Sequence, residues 1–102
     1  MDNRIFEDIE RAILEAMHKT EAAINKAEIH EACCEAETDD TQAMVMEAEA
    51  VWTFNNTEEA GIALDRAYNL HDKAMREYYN AVEDRKALHA IYELLEQATW
   101  NC

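Results

Sequence analysis

The chain has no proline and a single glycine, Gly61, in 102 residues. Proline and glycine are the residues that most oppose a helix, while alanine and glutamate favour it. The class expected is therefore all-α. Between Lys26 and Arg66 there is no lysine or arginine at all. The same stretch holds eleven acidic residues: Glu28, Glu31, Glu35, Glu37, Asp39, Asp40, Glu47, Glu49, Glu58, Glu59 and Asp65. The rest of the chain is nearly balanced, with nine basic and twelve acidic residues. Such bulk negative charge disfavours nucleic acid and anionic membranes and favours a basic protein partner.

Other absences narrow the chemistry. No apolar run approaches the length of a membrane span, and the start of the sequence lacks the basic-then-apolar order of a signal peptide. Three cysteines, two of them adjacent at Cys33 and Cys34, do not make a disulfide framework, so a reducing cytoplasm is the expected setting. The sole glycine excludes the usual glycine-rich phosphate loop, and there is no Gly-x-Ser-x-Gly or His-Glu-x-x-His motif. The chain is not expected to be an enzyme.

What is present is helical periodicity. One domain of three helices is expected. The first covers residues 2–37, with Asp2 as N-cap and Ile5, Phe6, Ile9, Ile13, Ala16, Met17, Ala23, Ile24 and Ala27 on one face. Thr38, Asp39 and Asp40 read as a break. A short second helix covers residues 40–54; it is apolar on several sides at Met44, Val45, Met46, Val51, Trp52 and Phe54, which predicts burial. Asn55, Asn56 and Thr57 form a second break, with Asn56 and Glu59 spaced as a capping box.

The third helix covers residues 57–100. Its seam of Ala60, Leu64, Ala67, His71, Ala74, Tyr78, Ala81, Arg85, Leu88, Tyr92 and Leu95 alternates spacings of four and three. His71 and Arg85 either fix register or snorkel to the seam's edge. Tyr68, Met75, Tyr79 and Val82 form a second stripe. Two long helices and one short one cannot cover both, so a homodimeric bundle is expected.

Three constellations could carry function. Glu21, Glu28 and Glu35 recur every seven residues, so a helix edge can present carboxylates much as a duplex presents phosphates. Glu28, Glu31, Glu35, Glu37, Asp39 and Asp40 are the partner-binding candidates. Alternatively, the chain is a helical scaffold or adaptor that binds through apolar faces, with Met75, Tyr79 and Trp100 as anchors. The third possibility is a metal-binding helical protein using Glu15, His18, His30, Cys33 and Cys34. Only one Glu-x-x-His exists, however, and adjacent cysteines point about 100° apart on a helix. No metal and no cofactor is therefore expected. Cys34 reads as a small core residue, Cys33 as partly exposed and Cys102 as a terminal thiol.

In size, acidity and helical character the chain is similar to phage-encoded antagonists of host defence, such as anti-CRISPR and anti-restriction proteins. That resemblance implies a non-enzymatic inhibitor that blocks a basic, nucleic-acid-binding surface of a host protein in the bacterial cytoplasm.

Overall fold

The computed structural model describes residues 3–101. It contains two long α-helices, α1 (Asn3–Phe54) and α2 (Glu58–Asn101), and no strand among the described residues. The proposed cap at Asp2 and the thiol of Cys102 lie outside them.

The expected break at Thr38–Asp40 does not exist, and the separate short helix is the last part of α1. A break there would orphan four carbonyls and four N–H groups, and no proline or glycine forces it. The threonines that blur the apolar pattern are accommodated within the helix. Thr38 Oγ1 donates to the Cys34 carbonyl at 2.9 Å, and Thr41 Oγ1 to that of Thr38 at 3.0 Å. The end of α1 is also not the buried segment expected. Of its apolar residues named above only Val45 is buried; Met44, Met46, Val51, Trp52 and Phe54 are exposed, Phe54 by 90%. Glu47 and Glu49 are likewise exposed.

The turn at residues 55–57 is where the sequence places it. The cap is one residue later than expected: Thr57 Oγ1 accepts from the Ala60 N–H at 3.2 Å, and the Thr57 carbonyl accepts from Gly61 N at 3.1 Å. Gly61 is used for close approach. A Cβ there would meet the Trp52 ring at 3.0 Å.

The residues form two compact units. Unit 1 comprises the chain ends, up to Ile29 and from Glu83; unit 2 is His30–Val82. In unit 2, Ala60, Ala67, Ala74 and Ala81 recur every seven residues along α2 and are all buried, between half-buried Leu64, His71 and Tyr78. Opposite them on α1 lie buried Cys34, Thr41 and Val45, with Glu31, Thr38 and Ala48 half-buried. No buried side chain of unit 2 is larger than valine. Thr41 and His71, equally far from the turn, meet at 3.0 Å between Oγ1 and Nδ1. His71 thus ties the seam rather than leaving it. In unit 1, Ile24 is buried, and Ile13, Met17, Ala23 and Ala27 are half-buried, as are Arg85, Leu88, Tyr92 and Leu95.

Candidate protein-binding surface

The acidic stretch of α1 owes its exposure to the seam. Positions 31, 34, 38, 41, 45 and 48 face α2, so the residues between them turn away from it. From His30 to Phe54 this helix carries Glu31, Glu35, Glu37, Asp39, Asp40, Glu47 and Glu49, with no lysine or arginine among them. Unit 2 as a whole has twelve acidic residues against three basic ones, Arg66, Lys73 and Arg76, a formal charge of −9 out of the chain's −14.

The six candidate carboxylates are not one face. Glu28 belongs to unit 1, and its carboxylate lies 3.7 Å from His89 Nε2. Glu31 sits half-buried on the seam of unit 2. At 100° per residue, Glu35 and Asp39 occupy successive turns of one strip, Asp40 falls on the outer face with Glu47, and Glu37 lies on the opposite flank. The side chains of Glu35, Glu37, Asp39, Asp40 and Glu47 are exposed and make no hydrogen bond or ion pair among the described residues.

The seven-residue row read as a phosphate-like edge has a different use in part. Glu21 accepts a hydrogen bond from the Tyr92 hydroxyl at 2.7 Å in unit 1, and Glu49 accepts one from Tyr68 in unit 2. With Glu28 and His89, these are ties from α1 to α2. Tyr68, His89 and Tyr92 are thus residues whose roles the sequence reading missed. Tyr92 was visible as a seam position, but which carboxylate it reaches depends on helix register.

Each carboxylate raises its tyrosine's pKa, chiefly by accepting the phenol's hydrogen bond, with smaller contributions from burial and charge. A folded-state pKa above the unfolded value means that the contribution to stability is complete below about pH 10, the ordinary tyrosine value, and is lost as pH rises through the raised value. Ultraviolet titration of tyrosine is expected to show two phenols ionising above the ordinary range. Glu21→Gln and Glu49→Gln should each bring one of them back.

The remaining candidates are dispersed. Tyr79 and Trp100 are exposed, Trp100 by 87%, whereas Met75 is half-buried. Tyr79 and Trp100 belong to different units. Tyr78 turns inward and its ring centroid lies 6.0 Å from that of Tyr79. His18 approaches Glu21 at 3.9 Å, one turn on. His30 Nε2 lies 3.7 Å from the Cys34 sulfur, while Cys33 is exposed. Among the described residues no group of three or more His, Cys, Asp or Glu side chains is arranged to hold a metal. Burial raises the Cys34 pKa, and the charges of Glu77, Glu37 and Cys33 add to the effect. That setting opposes the thiolate a nucleophile needs. No described helix is long and apolar enough to cross a membrane.

No protein-family model matches the chain, and no significant similarity to a curated protein or to a solved structure is found.

Proposed function

We propose that the chain is a small, non-enzymatic, acidic binding protein that occludes a basic, nucleic-acid-binding surface of a partner protein. This is the mode of action expected of an antagonist of the anti-CRISPR or anti-restriction type, working in a bacterial cytoplasm. One observation carries the reading. Glu35, Glu37, Asp39, Asp40 and Glu47 are held exposed on α1 of unit 2 without a neutralising cation. Acids interleaved with bases at four-residue spacing would stabilise the helix through ion pairs, a gain this stretch forgoes. A run of acids alone is complementary to the Lys and Arg side chains that line a nucleic-acid site, from which it displaces counterions.

Two features of the carboxylates refine the contact. Glu28, Glu31 and Glu49 are engaged within the chain, so the binding residues are Glu35, Asp39 and Asp40, with Glu37 and Glu47 flanking them. Their backbone is regular helix throughout, so they are presented without a backbone ordering cost on binding.

The test is competitive capture. Immobilised chain is expected to retain a nucleic-acid-binding protein from a bacterial lysate, and duplex DNA added at low salt should release it. Capture that duplex DNA leaves untouched, but that Tyr79→Ala or Trp100→Ala abolishes, would instead select the scaffold reading. That reading is favoured by the exposure of those two aromatic side chains.

A further inference from the structure

Unit 2 has a groove of about 330 Å³ between α1 and α2 that no described residue fills. Its lining includes Met44, Glu47 and Val51 on α1 and Ala60, Ala63 and Arg66 on α2. The small alanine side chains leave the floor low, while Met44 and Val51 stand exposed beside it by 45% and 49%. The apolar surface does not stop at the groove. Across Arg66 it continues to Ile62 and Leu70, both exposed. With no buried side chain larger than valine, the hairpin of unit 2 gains little from its own interior. Covering this face would add apolar burial the hairpin lacks.

The charges of the groove say what covers it. Glu47 and Arg66 line it together, yet neither forms an ion pair among the described residues. A uniformly basic partner would meet Arg66 unfavourably, and a uniformly acidic one would meet Glu47. A second copy related by a two-fold axis offers the opposite charge at both places, because an isologous contact sets residue i of one copy against j of the other and j against i. We propose that this groove is the interface between two copies of the chain. Two unit 2 hairpins form a four-helix contact with Met44 and Val51 seated over the alanines, and Glu47 of each copy facing Arg66 of the other. The contact takes Glu47 from the flank of the surface assigned to a basic partner, but that surface's central carboxylates Glu35, Asp39 and Asp40 lie outside the groove lining, so the proposal does not depend on that reading.

Sedimentation of the full chain at micromolar concentration tests it. The wild type is expected to be a dimer. Glu47→Arg and Arg66→Glu should each raise the dimer Kd at least tenfold, since each places like charges across the contact twice. An equimolar mixture of the two variants should restore a dimer of wild-type affinity, because every cross-contact then pairs arginine with glutamate. Variants that had merely lost their fold, or an ion pair within one chain, would not be rescued by mixing. A monomeric wild type, a variant that dimerises as tightly as the wild type, or a mixture that fails to dimerise overturns the proposal. Retained dimerisation in Glu35→Gln/Asp39→Asn/Asp40→Asn, together with lost capture of a basic partner, would separate this interface from the acidic surface.

Discussion

Replacing Glu35, Asp39 and Asp40 together by their amides is expected to raise the melting temperature of the chain. Along α1, Glu31 and Glu35 are four residues apart, as are Glu35 and Asp39, and Glu37 and Asp40 are three apart. Like charges at these spacings each cost roughly 0.2–0.5 kcal/mol in a helix. Relieving the three pairs therefore stabilises by about 1 kcal/mol. For a domain of this size that corresponds to a rise of about 4–8 °C. Gln and Asn have helix propensities close to those of Glu and Asp, so the backbone term is nearly unchanged. The gain should shrink as salt is added, because the repulsion being removed is between exposed, screened charges. A fall in melting temperature would show that these carboxylates help to hold the fold, and the argument that they are reserved for a partner would lose its basis.

The opposite sign is expected in the seam. Ala74 is only 3% exposed and stands in the middle of the alanine row of α2. Leucine at this position inserts three carbons where the neighbouring helix leaves room for one. Overpacking of this kind costs about 1–3 kcal/mol even where the new residue is a good helix former. Thermal unfolding of Ala74→Leu should therefore begin several degrees lower, by about 4–8 °C for each kcal/mol. Ala43→Leu is the matched control. Ala43 is exposed on the far side of α1, and the same change there should leave the melting temperature nearly unaltered. If the two variants behave alike, the alanine row is not a close contact.

The two substitutions mark what was legible in the sequence. The absence of proline pointed to the all-α class, and the alternating four-three spacing from Ala60 to Leu95 picked out positions of α2 that are all buried or half-buried, because its alanines and leucines keep the pattern apolar; half-buried Gly61, His89, Ala98 and Thr99 fell outside it. The seam of α1 in unit 2 was hidden by Glu31, Thr38 and Thr41, polar residues at positions where a heptad reader expects apolar ones. The two threonine hydroxyls are satisfied locally or by His71, a solution that depends on three-dimensional proximity and not on composition. The apolar run near the end of α1 misled in the other direction. Met44, Met46, Val51 and Phe54 fall off the seam, so hydrophobicity without the right phase left them exposed. For the acidic surface, the charge run itself was readable. What was not readable was which carboxylates α2 would claim, since the pairing of Glu21 with Tyr92 and of Glu49 with Tyr68 follows from helix register.

The central claim is that the position of the unpaired carboxylates, and not net charge, directs the chain to a basic partner. Two triple variants with the same change in charge separate the two. One neutralises Glu35, Asp39 and Asp40 on unit 2. The other neutralises the exposed Glu7, Glu10 and Glu15 of unit 1 as Glu7→Gln/Glu10→Gln/Glu15→Gln. The measurement is affinity for the captured DNA-releasable partner across a salt series. The unit 2 variant is expected to bind at least tenfold more weakly and with a shallower salt dependence, while the unit 1 variant keeps nearly wild-type affinity. Equal losses in both variants, or none in either, would contradict the account.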